Sequence, residues 1–138
     1  KKFKKIDLIL SPAIGGIVIG YEIGKLLKKE TIFAERVKGK FLLRRGFSIK
    51  KDSNVLIIED VITTGKSSLE CASLIKANKA KLVGFAALID RSVKKKIKIK
   101  KKTIVSQIRL KVPTYKKNRI PPSLNKIPIS TPGSRFLK

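Results

Sequence analysis

Residues 55 to 68 read Val-Leu-Ile-Ile-Glu-Asp-Val-Ile-Thr-Thr-Gly-Lys-Ser-Ser, the densest chemistry in the chain. Glu59 and Asp60 are adjacent carboxylates that can accept hydrogen bonds from sugar hydroxyls. Thr63, Thr64, Gly65, Lys66 and Ser67 then offer small hydroxyls, a flexible glycine, an ammonium and free backbone N–H groups. The apolar run Val55–Ile58 reads as a buried strand. Ser67 and Ser68 are placed to cap the helix that follows, and a helix N-terminus is an anion site. In that order, a strand, an acidic pair, a loop and a helix suit a sugar phosphate. The carboxylates take ribose hydroxyls while the loop takes the phosphate. The Gly-x-x-x-x-Gly-Lys-Ser/Thr loop of nucleoside-triphosphate sites is matched only at Gly65-Lys66-Ser67, because its first glycine position holds Asp60. A plain capped turn would not need Glu-Asp and Thr-Thr-Gly-Lys-Ser together, since a buried carboxylate pair is costly unless something uses it.

These groups need a frame, and the apolar pattern supplies one. Short strands are expected at Asp7–Leu10, Ile32–Glu35, Val55–Ile58, Leu82–Ile89 and Ile104–Val112, with helices at Ile17–Leu27 and Ser67–Asn78. Strands that are apolar throughout, alternating with helices, indicate an α/β fold: a mainly parallel sheet with helices on both faces. Ligands in such sheets sit at the carboxyl ends of the strands. Ser11–Gly16, Glu35-Arg36, Glu59–Ser67 and Asp90-Arg91 all fall at such ends, so four polar segments should meet at one rim.

Within that rim, Gly15-Gly16 lets the backbone approach a ligand closely, although a Gly-Gly pair alone is equally a turn. The segment from Arg36 to Phe47 is basic and punctuated by glycine, either a solvated charge run or a hairpin or flap. As a flap, its cations Arg36, Lys38, Lys40, Arg44 and Arg45 could close over a leaving pyrophosphate and exclude water. Arg91 has the side chain best suited to a two-pronged grip on a carboxylate; its alternative is a local pair with Asp90. The expected layout is a core at residues 1–112 (flap at about 36–47) and a proline-rich tail at 113–138 packed on or near it.

The chain has 138 residues and is 42% apolar, enough for one folded domain. No uninterrupted apolar run nears the ~18 residues of a membrane span. The opening residues Lys1–Asp7 lack the apolar region of a signal peptide. Cys71 is the lone cysteine and histidine is absent. That excludes an intrachain disulfide, fits a reducing cytoplasm, and leaves neither a Cys/His zinc site nor a base to activate the thiol. Cys71 therefore reads as a small buried core residue. The net charge is +25, but the lysines are spread along the whole chain. The run from Lys94 to Lys102 has no aromatic to stack on a base. A codon bias toward lysine and isoleucine accounts for this better than a nucleic-acid partner does. A positive surface would also draw anionic substrates. Methionine is absent and the sequence opens on Lys1, so a partial sequence is expected.

The stretch Glu59–Ser67 resembles the signature of type I phosphoribosyltransferases, which bind phosphoribosyl pyrophosphate. Ser11-Pro12-Ala13-Ile14-Gly15-Gly16, Phe33-Ala34-Glu35-Arg36, Leu42–Phe47 and Ile89-Asp90-Arg91 narrow the resemblance to the orotate phosphoribosyltransferases. The tail, with Val112-Pro113-Thr114-Tyr115, Ile127-Pro128 and Pro132–Arg135, resembles one bacterial branch of them. The resemblance covers nearly the whole chain. It implies transfer of a phosphoribosyl group from phosphoribosyl pyrophosphate to orotate, giving orotidine monophosphate and pyrophosphate. It implies that Glu59, Asp60, Val61, Ile62, Thr63, Thr64, Gly65, Lys66 and Ser67 bind phosphoribosyl pyrophosphate, with Glu59 and Asp60 on the ribose hydroxyls. Ala13, Ile14, Gly15 and Gly16 would face the pyrophosphate. Thr63 and Arg91 would contact orotate, with Arg91 on its carboxylate. Magnesium would be held mainly by substrate oxygens, in a cytoplasmic homodimer. Many family members carry a lysine in the pyrophosphate loop and a histidine in the flap; here the loop is Gly15-Gly16 and no histidine exists. Family members also carry a segment before the first strand that covers part of the orotate pocket. Its absence here makes an inactive fragment one alternative. The others are a transferase for another base, against which Arg91 argues, and a phosphoribosyl pyrophosphate sensor that binds nucleic acid, motivated by the charge.

Overall fold

A computed structural model of the chain describes residues 2–92, 97, 99, 103–113, 115, 117–128 and 130. It contains one six-stranded sheet. In chain order the elements are β1 (Leu8–Pro12), α1 (Gly16–Leu27), β2 (Glu30–Val37), β3 (Lys40–Leu43), β4 (Asn54–Ile62), α2 (Lys66–Ala77), β5 (Lys81–Asp90) and β6 (Ile104–Arg109). The spatial order is β3-β2-β1-β4-β5-β6. All neighbours run parallel except β3, which turns back antiparallel on β2 at the edge. The order reverses between β1 and β4, and a reversal in an open α/β sheet opens a crevice at the strand carboxyl ends.

Strand residues alternate between two cores because side chains alternate across a strand. Leu8, Leu10, Val55 and Ile57 face the side covered by Cys71 and Ile75 of α2. Ile9, Leu56 and Ile58 face the side covered by Ile19 and Ile23 of α1. Central strands buried on both faces explain why Val55–Ile58 is an uninterrupted apolar run. Helix α1 lies close on the sheet through Gly16, Gly20 and Gly24, its buried residues. A Cβ at Gly20 would overlap Ser11 Oγ and one at Gly24 would overlap Thr31 Oγ1. The opposite side of α1 leaves Val18, Tyr21 and Leu26 exposed.

The fold expected from the sequence is present, with shifted element ends. β4 runs on through Glu59 to Ile62 instead of closing at Ile58, and β6 ends at Arg109. The basic segment after β2 is a hairpin whose turn residues Lys38 and Gly39 both have positive φ, which matches the right-handed twist of the paired strands. Beyond residue 112, the described residues include short 3-10 turns at Lys117–Arg119 and Pro122–Leu124. Within the run expected at Lys94–Lys102 only Ile97 and Ile99 are described; its lysines lie outside the described residues, as does the tail from residue 131.

Candidate active site

The carboxyl ends of β1, β4 and β5 border a cleft of about 990 Å³. Its lining comprises Pro12, Ala13 and Gly15 after β1, Arg36 and Gly39 of the hairpin, Glu59–Val61 of β4, Thr63–Ser67, and Arg91 after β5. The four segments expected to meet do meet here. Ile62 is buried in the core, Gly16 is buried in α1, and Ile14 is 77% exposed; none of the three borders the cleft. Of the five hairpin cations, all described, only Arg36 borders it. Pro12 and Gly39 line the cleft without having been singled out as site residues in the sequence; neither carries a reactive group that would have drawn attention.

The acidic pair divides between two environments. Glu59 is 7% exposed and accepts a hydrogen bond from the buried Ser68 hydroxyl of α2. Burial pushes its carboxyl up to about 7; the Ser68 hydrogen bond pulls the other way and the Asp60 charge adds to the rise. Asp60 is exposed and accepts from the Val61 N–H at 2.8 Å. Its carboxylate lies against the loop before α1, where a Cβ on Gly15 would overlap Asp60 Oδ2. The expected buried carboxylate pair is therefore corrected: one acid is buried and the other solvated, because successive strand residues point to opposite faces.

The expected capping by Ser67 and Ser68 is also corrected. The N-cap of α2 is Gly65, with no side-chain cap hydrogen bond, and Ser68 is turned to Glu59 instead. Gly65 has φ +74°, and a Cβ there would sit 2.6 Å from Ile99 Cδ1. Both the left-handed backbone and the close neighbour exclude a side chain. With α2 starting at Lys66, its leading N–H groups lack intrahelical acceptors; that of Lys66 reaches Thr64 Oγ1 at 3.4 Å, and that of Ser67, on the cleft wall, is available to an anion.

Arg91 is fixed by its backbone. Its N–H donates to the Ile62 carbonyl at 2.8 Å, which seats it beside the start of the Thr63–Ser67 loop. It forms no local pair with Asp90: that carboxylate is buried, accepts from the Ser92 N–H at 2.8 Å and faces Arg109 at 3.5 Å. On the hairpin, Arg45 donates to Glu35 at 2.8 Å and Arg44 lies 3.8 Å from the same carboxylate. The Arg45 hydrogen bond holds the Glu35 carboxyl below its usual range. Cys71 is fully buried beneath the site, its thiol pushed up to about 12 by burial, with the Glu59 and Glu70 charges adding. It is a core residue and not a nucleophile.

An exposed carboxylate beside a helix N-terminus, with an arginine across the cleft, can hold a sugar phosphate and a second anionic group together. The comparisons agree. The phosphoribosyl transferase domain model matches residues 1–125. Orotate phosphoribosyltransferase from Parvibaculum lavamentivorans is 43% identical over 96% of this chain and 67% of that protein. Its counterpart from Methylorubrum populi is 45% identical over 99% of this chain and 69% of that protein. The chain thus spans about two thirds of the length of these relatives. Among solved structures, an adenine phosphoribosyltransferase from Thermoanaerobacter pseudethanolicus superposes with TM-score 0.65 at 18% identity, over 78% of this chain and 71% of that one, a likeness of fold alone. With fold, cleft and sequence in agreement, the chain belongs to the phosphoribosyl transferase family, among the orotate phosphoribosyltransferases.

Proposed function

We infer that this chain is an orotate phosphoribosyltransferase, a pentosyltransferase that joins orotate to the ribose C1 of phosphoribosyl pyrophosphate and releases pyrophosphate. The observation that carries the reading is the meeting of Glu59–Ser67 with Arg91 and the Ala13–Gly15 loop in one cleft, in a chain 43–45% identical to enzymes of that name.

The residue roles follow from the chemistry of each wall. The N–H groups at the start of α2, with the hydroxyls of Thr63, Thr64 and Ser67, receive the 5-phosphate. Glu59 and Asp60 accept from the ribose hydroxyls. As the bond from C1 to pyrophosphate breaks, positive charge develops on the ribose. Nearby carboxylates that are already in place favour that charge without reorganisation. The open backbone at Ala13–Gly15 faces the pyrophosphate, and Arg36 supplies positive charge on the same cleft. Arg91 grips the orotate carboxylate, with Thr63 beside it, so the nucleophilic ring nitrogen is held toward C1 and a two-molecule encounter becomes a local one.

Magnesium is proposed as the cofactor; carried in on the substrate, it would supply charge neutralisation for the leaving group. Glu59 turns toward α2 and Asp60 toward the Gly15 loop. They are not placed to chelate one ion between them, which suits an ion carried in by the substrate. A homodimer is also proposed, with support from the exposed Ile14, Val18, Tyr21 and Leu26 of the α1 region. A cytoplasmic setting is proposed from the lone buried thiol. Among the described residues no helix is long and apolar enough to cross a membrane.

Calorimetric titration with phosphoribosyl pyrophosphate and magnesium, then with orotate, tests the reading. Saturable binding of both, with pyrophosphate release that orotate supports and adenine does not, is expected. Turnover with adenine but not orotate would overturn the base assignment.

A further inference from the structure

Glu70 does not border the cleft, yet its two carboxylate oxygens face two cations that do. Oε2 lies 2.5 Å from Arg36 Nη2, and Oε1 lies 4.0 Å from Lys66 Nζ. Arg36 is held twice more. Its Nη1 donates to the Gly39 carbonyl at 2.5 Å, and its guanidinium carbon stands 4.1 Å over the Phe41 ring centroid. Arg36 belongs to β2 and Lys66 opens α2, so one carboxylate ties the hairpin wall of the cleft to the phosphate-loop wall.

We infer that Glu70 is a positioning residue for the anionic diphosphate end of the substrate: it holds Arg36 at the cleft wall in the orientation that meets that group. The inference rests on the transferase reading above. Stability alone is a poor reason for the contact, because the two side chains are 37% and 29% exposed and surface ion pairs contribute little. Orientation is a better one. A guanidinium held on its planar faces and edges loses less freedom when it binds an anion. Glu70 also carries a negative charge that by itself repels a diphosphate. Orientation and repulsion therefore make opposite predictions, and the two can be separated.

The test is a double-mutant cycle on Glu70→Ala and Arg36→Ala, read by calorimetry with phosphoribosyl pyrophosphate and separately with inorganic pyrophosphate, both with magnesium. Glu70→Gln is the rescue variant, because its amide oxygen still accepts from Arg36. If Glu70 positions Arg36, Glu70→Ala weakens binding of both ligands about tenfold, within the range for coupled neighbours. Glu70→Gln then restores most of that loss. In the Arg36→Ala background Glu70→Ala changes affinity by less than about twofold. The KM for orotate stays unchanged in the two Glu70 variants. Tighter binding by both Glu70 variants would mean that repulsion dominates and would overturn the inference. Additive losses in the double variant would overturn it as well. Absence of turnover with orotate in the unsubstituted chain would count against the transferase reading, while the cycle on inorganic pyrophosphate would still decide the role of Glu70. A folded, unsubstituted chain that bound neither ligand would overturn both.

Discussion

Replacing Glu59 with glutamine should stabilise the protein at alkaline pH and disable it as an enzyme. The carboxyl of Glu59 is buried on the α2 side, and its pKa is raised from the usual 4.5 to about 7. Between those values the folded state keeps a proton that the unfolded chain has released, so stability falls as pH rises through that window. The displacement corresponds to about 3 kcal/mol of destabilisation once the group is ionised in both states. Near pH 5 the residual effect is under about 1 kcal/mol. Glu59→Gln removes the charge but keeps an oxygen to accept from Ser68. It should therefore gain about 3 kcal/mol over the parent at pH 8 and little at pH 5, by linkage.

Urea unfolding followed by circular dichroism at the two pH values measures this directly, since the chain has no tryptophan to report by fluorescence. A variant with the same gain at pH 5 and pH 8, or with none at pH 8, would refute the reasoning. It would mean that solvent reaches Glu59 well enough to leave its proton affinity ordinary. The kinetic counterpart is an acid limb in kcat/KM near pH 7, because only the ionised acid favours the developing ribose charge. A limb from the substrate phosphate, with a second pKa of about 6, would survive in Glu59→Gln. The Glu59 limb would vanish along with most of the activity.

Three further outcomes follow from neighbouring residues. Arg91→Ala should raise the KM for orotate by about a hundredfold, the scale of a lost charge-assisted pair, with phosphoribosyl pyrophosphate affinity unchanged by calorimetry. Gly15→Ala should displace Asp60, whose carboxylate occupies the space of the new Cβ; steady-state kinetics should show kcat/KM down by more than about tenfold, as expected when geometry at the reacting centre shifts. Thermal unfolding of Gly65→Ala should show a loss of about 2 kcal/mol, from the left-handed backbone together with the crowding against Ile99.

The sequence was most legible where one short segment does several jobs in order. Val55–Ile58 announced a central strand because burial on both faces leaves no polar position. Glu59 to Ser67 announced a site because the hydroxyls, glycine and carboxylates are consecutive, and consecutive residues at a strand-to-helix junction stay together in space. The strand ends were less legible. Glu59 and Asp60 look like terminators by polarity, yet β5 pairs with β4 as far as Ile62, and backbone pairing carries the strand past them. A hairpin was one legible reading of the basic segment, but which of its cations turns inward was not, since charge says nothing of direction. That depends on the alternation of β2, on the Phe41 ring and on Glu70.

Helix α2 shows why the rest of the site could not be read in one dimension. Its first turns present Lys66 and Ser67 to the cleft, Ser68 to Glu59, Glu70 to Arg36 and Cys71 to the core. On a helix of 3.6 residues per turn, such near neighbours point in different directions. Ser68 looked like a cap because serine near a helix start usually is one. What displaced that role is the buried acid on β4, nine positions earlier, which needs a donor more than the solvated helix end does. If Glu59 serves the ribose as proposed, burial beside Ser68 is what holds its carboxylate in place. The same burial raises its proton affinity, so affinity for the developing charge and tolerance of acid cannot both be maximised in this cleft.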